Sequence, residues 1–228
     1  MEVKLERWSG LLGVGVIVAG QLIAALAYRG RLGEAYSPFN HFVSELGERG
    51  VSQAAWAFNG GLLLGGPLLC VFMLALARRM RLLPGLAFGA LGLACGLSGT
   101  LVGATPMDDL LPHIAWARRF FNTGFAAMLF FTLVALVGRW GIARRLAAPG
   151  LIATAAFAAF LAIPQPLGEL GGDILASVGA RLAAPRPLLW MPAVFEWLAV
   201  LAVLGWVLAV VLIGPASGRR ATPTASPQ

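Results

Sequence analysis

Residues 53–104 are QAAWAFNGGLLLGGPLLCVFMLALARRMRLLPGLAFGALGLACGLSGTLVGA, and this stretch decides the fold class. Two long apolar runs flank a short segment that contains Arg78, Arg79 and Arg81. Each run is long enough to cross a membrane as a helix, which takes about 20 apolar residues. The apolar residues are continuous, whereas a membrane barrel would alternate them with polar ones. The stretch therefore predicts a transmembrane helical hairpin.

The same pattern extends over the rest of the 228 residues. Apolar residues make up 59% of the chain, charged residues 12%, and the mean hydropathy is +0.82, which excludes an ordinary soluble domain. Six apolar runs are present, at 9–28, 53–77, 82–104, 118–138, 147–164 and 189–214. We predict an all-α integral membrane protein, with a six-transmembrane-helix bundle over residues 1–216 and a disordered cytoplasmic tail at 217–228.

The charges predict how this bundle lies in the membrane. One side of a six-span topology carries ten basic residues and two acidic ones, whereas the other carries seven basic and eight acidic residues. Cytoplasmic loops are enriched in Lys and Arg, so we expect both termini to be cytoplasmic and the protein to lie in the cytoplasmic (inner) membrane. The net charge of +7 is then a topology signal, and no nucleic-acid partner is expected.

The first outer connection, at 29–52, contains the most polar short segment of the chain. A short interfacial helix is expected over 37–47, with Ser37 as its N-cap and Gly47 as its end. Residues four apart lie on the same face of a helix, so His41 and Glu45 would lie side by side. This segment is one predicted wall of a site.

The second outer connection, at 105–117, starts in a similar way. Thr105 is expected to cap a short helix whose first turn contains Asp108 and Asp109, where the helix dipole favours negative charge. Asp109 and His113 would then be paired. In the third outer connection, apolar residues recur near helical period and predict an amphipathic helix on the outer leaflet, at Leu167, Leu170, Ile174, Val178 and Leu182.

Small residues line two of the predicted spans. The third run has glycines at small-xxx-small spacing, such as Gly85/Gly89 and Gly92/Gly96, and the second run has Gly61/Gly65. Such spacing lets helices approach closely in lipid. It favours packing within one bundle, and it also allows a homo-oligomer through the Gly-rich second and third helices. Cys70 and Cys95 have no metal or redox spacing and are expected to be packing thiols.

Polar residues that could form a site collect at the outer side of the bundle. The candidate binding residues of this outer-face pocket are His41, Ser44, Glu45, Asn59, Asp108, Asp109, His113, Arg118, Arg119, Asn122 and Glu196. Charge is absent from the middle of every predicted helix, which is not the pattern of a proton-coupled transporter. Catalytic residues are not identified. No compact ligand motif such as HExxH is present, so neither a metal nor a cofactor is expected.

Several functions fit this polar group. The residues could cap loop helices and pair with one another, for instance Glu45 or Asp109 with Arg118. They could bind the headgroup of a membrane lipid, with Arg118 and Arg119 holding a phosphate. They could belong to a hydrolase or transferase that acts on a lipid, with His41 or His113 as general base or metal ligand. A structural or partner-binding subunit is a further alternative, and whether the protein is an enzyme stays open.

Three segments resemble a known family. They are His41-Phe-Val-Ser-Glu-Leu-Gly47, Phe58-Asn59-x-Gly61, and Gly103-Ala-Thr-Pro106-Met-Asp108 followed by His113. Together they are similar to small prokaryotic polytopic membrane proteins grouped as domain of unknown function 998. A more distant similarity links the chain to the eukaryotic Frag1, DRAM and Sfk1 membrane proteins, which are associated with lipid remodelling and lipid asymmetry. The resemblance implies six membrane helices and a lipid-related role, but no catalytic residue.

Overall fold

The computed structural model describes residues 2–138, 140–163 and 184–214. Within these ranges, six helices are long and apolar enough to cross a membrane. They are α1 (Glu2–Ala27), α2 (Ala55–Ala77), α3 (Leu82–Ala104), α4 (Leu110–Val137), α5 (Ala147–Ala162) and α6 (Met191–Ile213). Two short 3₁₀ helices lie at Val43–Gly47 and Arg144–Leu146, and these described ranges contain no strand. The prediction of an all-α, six-helix membrane protein is confirmed.

The six helices form a ring in chain order. Each helix packs against the next one, and α6 closes the ring against α1. The connections between α2, α3, α4 and α5 are short, so these helices are successively antiparallel, and Asp108 in the α3–α4 connection forms a salt bridge with Arg49 in the α1–α2 connection. Residues 28–54 and 105–109 therefore lie at one end of the ring, which we call the loop end. Residues 78–81 and 138–146 lie at the opposite end, which we call the arginine end.

Glycine faces bring α2 and α3 into close contact. A Cβ atom added at Gly92 would lie 2.8 Å from the Cβ of Met73, and one added at Gly103 would lie 2.8 Å from the carbonyl oxygen of Asn59. In lipid, such close approach supplies the dispersion contacts that hold helices together. These glycine faces are occupied by a neighbouring helix of the same chain. A homo-oligomer through them stays a prediction, and the fold does not require it.

Aromatic side chains fill the part of the ring nearer the arginine end. Trp206 is 1% exposed, and three phenylalanine rings surround it with centroid distances of 4.9 Å for Phe131, 5.7 Å for Phe72 and 6.3 Å for Phe88. Edge-to-face rings at these distances attract each other beyond their burial of apolar area. We call these four residues the aromatic layer. It closes the centre of the ring from the arginine end.

The first outer connection folds differently from the predicted interfacial helix. The helical part is the 3₁₀ helix Val43–Gly47, its N-cap is Phe42, and all five of its residues are buried. Ser37 instead starts a turn in which its carbonyl accepts the N–H of His41 at 2.9 Å. His41 therefore precedes the helix and does not share a helical face with Glu45. The expected N-cap was wrong because a serine followed by proline starts a turn as readily as a helix.

The second outer connection is shorter than predicted. Thr105 is the C-cap of α3, and its Oγ1 donates to the carbonyl of Leu101 at 2.8 Å. It therefore does not cap a helix of its own. Helix α4 begins at Leu110, eight residues before the predicted start at 118, and its first turns carry the polar residues. The apolar run had marked only the part of α4 that fits within hydrocarbon. The amphipathic helix predicted around Leu167–Leu182 lies outside the described residues.

Candidate functional site

A cavity lies in the centre of the ring, between the loop end and the aromatic layer. Its volume is about 100 Å³, several times the roughly 10–15 Å³ that a single water molecule needs. Residues of α1, α2, α3, α4 and α6 line it, and the 3₁₀ helix Val43–Gly47 contributes Val43 and Ser44. Most of the lining is apolar, with Leu62, Phe120 and Val203 as examples. The ring thus encloses an apolar space beneath the loops.

Four side chains with polar oxygen or nitrogen atoms line the cavity, at Gln21, Ser44, His113 and Glu196. The last three come from the loop end, and all three were predicted site residues. Glu196 lies in the second turn of α6 and is 6% exposed, and its Oε2 accepts the backbone N–H of Val43 at 2.6 Å. This hydrogen bond holds the 3₁₀ helix against α6 at the polar end of the cavity.

His113 has one ring nitrogen bonded to the backbone and one that is a hydrogen-bond acceptor. Its Nδ1 lies 2.9 Å from the carbonyl oxygen of Thr105, which can only accept, so Nδ1 carries the proton. In the neutral ring, Nε2 is then an acceptor. Within the described ranges, no protein group donates to Nε2. His113 is thereby oriented by the end of α3.

Ser44 is not arranged as an activated nucleophile. Its Oγ donates to the sulfur of Met107 at 3.7 Å, and no described histidine lies within hydrogen-bond distance of it. Among the described residues, no group of three or more His, Cys, Asp or Glu side chains is placed to hold a metal. The hydrolase or transferase alternative stays a prediction. Among the described residues, Ser44 is not paired with a histidine that could act as its general base.

An ion pair fastens the segment before α6 to the loop end. Arg186 donates through Nη2 to Oε2 of Glu45 at 2.5 Å, and the two side chains are 8% and 2% exposed. The other Glu45 oxygen accepts the N–H of Phe42 at 2.9 Å. Glu45 therefore pairs with Arg186, and not with Arg118 as the sequence suggested. The sequence analysis did not identify Arg186 as the partner of Glu45. Arg186 lies between two prolines, a few residues before the start of α6.

His41 belongs to an aromatic cluster near this ion pair and does not line the cavity. Its ring is 1% exposed and lies 5.4 Å from the ring of Tyr28 and 5.3 Å from that of Tyr36. Nδ1 lies 2.8 Å from Oδ1 of Asn40. Burial, reinforced by the charge of Arg186, lowers the pKa of His41, so the ring is neutral at pH 7. His41 thus supports the loop as a neutral packing group.

The remaining predicted site residues lie away from the cavity lining. Asn59 donates to the carbonyl of Gly47 at 2.9 Å and holds the 3₁₀ helix against α2. Asp108 forms an exposed salt bridge with Arg49 at 2.7 Å. The others lie at the start of α4 or on its exposed surface, at Asp109, Arg118, Arg119 and Asn122. Of the eleven predicted residues, Ser44, His113 and Glu196 line this cavity, whereas Arg118 and Arg119 do not; a phosphate site at these two arginines stays a prediction.

The burial of the Glu45 carboxyl should make the stability of the protein depend on pH. Burial raises the pKa of Glu45 from 4.5 to about 7, against the opposing charge of Arg186. The folded state then binds a proton more tightly than the unfolded state, so stability falls as the pH rises from 4.5 to 7. We expect this carboxyl to contribute a loss of about 2 kcal/mol between pH 5 and pH 7.

Thermal unfolding at several pH values checks this contribution. The Glu45→Gln variant should lack this part of the pH dependence. In the control Asp108→Asn, the dependence should persist, because Arg49 lowers the pKa of Asp108 below the tested range. An unchanged pH profile in Glu45→Gln would show that Glu45 titrates normally in the folded protein.

Comparison with known proteins identifies a family for the chain. A family model described as "Protein of unknown function (DUF998)" matches residues 11–213. The matched range includes all the cavity-lining residues and both partners of the Glu45–Arg186 ion pair. No curated protein and no solved structure matches the chain.

Proposed function

The chain belongs to the DUF998 family of unknown function, and we propose from its cavity that it binds a lipid-like amphiphile. The polar head of the ligand lies beside Ser44, His113 and Glu196, and its apolar tail lies among the helices. The observation that carries the proposal is an apolar cavity whose lining residues at the loop end include Ser44, His113 and Glu196. This distribution is typical of sites for small ligands that combine apolar contacts with a few orienting polar groups.

The shape of the cavity supports a ligand with a tail. On α2, lining residues extend from Phe58 to Met73, a distance of about 22 Å along the axis at 1.5 Å per residue. On α6, they extend from Glu196 to Val207, beside the aromatic layer. An elongated apolar space with Ser44, His113 and Glu196 among the lining residues at one end suits an amphiphile better than a compact polar solute. The ligand is therefore one with a single narrow apolar chain.

Filling the cavity tests this function. Ala117 lines the cavity on α4, whereas Ala115 lies two residues away on the exposed surface of the same helix. Replacing Ala117 by phenylalanine should reduce the bound amphiphile at least tenfold, because the ring occupies the space of the tail. Mass spectrometry of material released from natively purified protein measures the molar ratio of ligand to protein.

The matched control is Ala115→Phe, which adds the same ring on the exposed surface of α4 and should leave the bound ligand unchanged. Circular dichroism and the melting temperature establish that both variants are folded. Equal ligand contents in the two variants, or no ligand in the wild-type protein, would exclude binding in this cavity.

We also propose that the protein lies in the inner membrane with both termini in the cytoplasm. The arginine end carries Arg78, Arg79 and Arg81 in a short turn, which is the pattern of cytoplasmic loops. The polar end of the cavity then lies on the side of the outer leaflet. Reporter fusions at Arg79 and at Arg49 should report the cytoplasm and the opposite side, respectively. A cytoplasmic signal at Arg49 would overturn this orientation.

A further inference from the structure

We propose that the arginine end binds anionic phospholipids, through a cluster of exposed cations that attracts a headgroup phosphate with no positive charge beside it. The site lies at the opposite end of the ring from the polar end of the cavity. It goes beyond the proposed cavity function and does not depend on the ligand bound there. The position of the basic side chains and their lack of acidic partners lead to this assignment.

The exposed cations of the arginine end come from three segments of the chain. Within the described ranges, two lie at the start of α1, two in the turn between α2 and α3, and two in the connection between α4 and α5. We call them the basic face, and they are Lys4, Arg7, Arg78, Arg81, Arg144 and Arg145.

These three segments contact one another. The backbone N–H of Arg81 donates to the carbonyl of Trp140 at 3.3 Å. Gly141 lies so close to the carbonyl oxygen of Arg79 that a Cβ atom would have no room there. The ion pair of Glu6 with Arg79 joins the start of α1 to the same turn. The cations of the basic face are therefore gathered at one place and not spread over separate loops.

The basic face lacks counter-charges within the protein. The sequence has two acidic residues at this end, Glu2 and Glu6, and the Glu6 carboxylate is buried against Arg79. In the part of the chain that the structure describes, no cation of the basic face forms a salt bridge. At the loop end, by contrast, three arginines are paired with carboxylates. Clustered cations at the membrane surface attract anionic lipids.

Apolar side chains beside the basic face indicate a lipid and not a dissolved phosphate. Trp8 follows Arg7 directly and is 59% exposed, and tryptophan favours the level of the headgroups. Leu82 and Leu83 follow Arg81 directly and are 75% and 77% exposed. A phospholipid can place its phosphate at the cations and its acyl chains against these leucines. A zwitterionic headgroup adds an ammonium group of its own, which the basic face repels.

Phosphatidylglycerol and phosphatidylcholine with the same acyl chains test this selectivity. Each lipid is titrated into the full-length protein in a neutral detergent, and native mass spectrometry counts the lipids bound. We expect phosphatidylglycerol to reach the same occupancy at an at least roughly tenfold lower concentration, because each nearby cation strengthens the attraction of an anionic lipid. Replacing Arg144 and Arg145 together by glutamine should remove most of this preference. Replacing both by lysine should keep it, because the charge is retained.

The matched control removes the other adjacent pair of exposed arginines, Arg118 and Arg119, by the same change to glutamine. It should leave the preference in place. Equal binding of the two lipids to the wild-type protein, or an equal loss in both glutamine pairs, would overturn the proposal. So would displacement of phosphatidylglycerol by glycerol phosphate, which would show a site for a dissolved phosphate.

The cavity variant Ala117→Phe separates this site from the cavity. The preference for phosphatidylglycerol should persist in Ala117→Phe, because Ala117 lines the cavity and does not belong to the basic face. A preference that disappears in this variant would place the anionic lipid in the cavity and overturn the assignment to the arginine end. Circular dichroism establishes that each variant is folded. The comparison of the two lipids on the wild-type protein decides the selectivity even if a variant does not fold.

Discussion

Replacement of Arg79 by alanine is expected to destabilise the protein by about 3–5 kcal/mol, the usual cost of leaving one partner of a buried ion pair alone. Nη1 of Arg79 donates to both carboxylate oxygens of Glu6, at 2.6 and 2.9 Å. The Glu6 side chain is 5% exposed and that of Arg79 14%. This pair joins the start of α1 to the end of α2 at the arginine end, where the truncation would leave a buried carboxylate without its cation.

Arg78 provides a matched control, because it is the neighbouring arginine and is exposed. Arg78→Ala should change the free energy of unfolding by less than about 0.5 kcal/mol, as is usual at the surface. Thermal unfolding in detergent, followed by circular dichroism, compares the two variants. The double variant Glu6→Gln, Arg79→Met should recover part of the lost stability, because it leaves no unpaired charge. Equal melting temperatures for Arg78→Ala and Arg79→Ala would mean that the ion pair contributes nothing.

Replacement of Gly61 by leucine is expected to cost about 3 kcal/mol, the upper end of the usual range for overpacking. A Cβ atom at Gly61 would lie 3.2 Å from the carbonyl oxygen of Val16 and 3.4 Å from the Cα of Gly20. Both are backbone atoms of α1, which cannot rotate out of the way as a side chain could. The larger side chain would therefore separate α1 from α2.

The adjacent Gly60 is the control, since a Cβ atom there would meet nothing within 4 Å. Gly60→Leu should be neutral or slightly stabilising, because leucine has a better helix propensity than glycine. Melting temperatures of the two variants, measured under the same conditions, give the difference. A Gly61→Leu protein as stable as Gly60→Leu would contradict the close α1–α2 contact.

The helices could be predicted from sequence because hydrocarbon thickness sets their length. Helix α3 begins and ends where its apolar run does, at 82 and 104, since arginine precedes it and a Thr-Pro pair follows it. Helix α4 was placed eight residues too late, because its first turns extend beyond the apolar run. Apolar runs thus locate the spans and miss the helical turns outside the hydrocarbon.

The site was only partly predictable. The sequence gives the depth of each polar residue in the membrane, but not whether the residue lies toward the centre of the ring or on its outer surface. Ser44, His113 and Glu196 face the cavity, whereas Arg118 and Asn122 lie at the same end on the exposed surface of α4. Depth follows from distance along a helix, but direction depends on which neighbours each helix packs against. The sequence analysis did not include Gln21 among the site residues, although a polar residue within an apolar run often lies toward the interior of a helix bundle.

The contacts that cover the polar end of the cavity have a consequence for synthesis of the protein. Glu45 and Arg186 are 141 residues apart in sequence, and Val43 and Glu196 are 153 apart. The ribosome adds about 5–20 residues per second, so Arg186 and Glu196 are added roughly 7–30 seconds after Glu45 and Val43. Until then, the Glu45 carboxylate has no arginine and the Val43 amide no glutamate. Assembly therefore ends at the polar end of the cavity, and a nascent chain that stalls before α6 keeps that end open to water and to quality-control proteases.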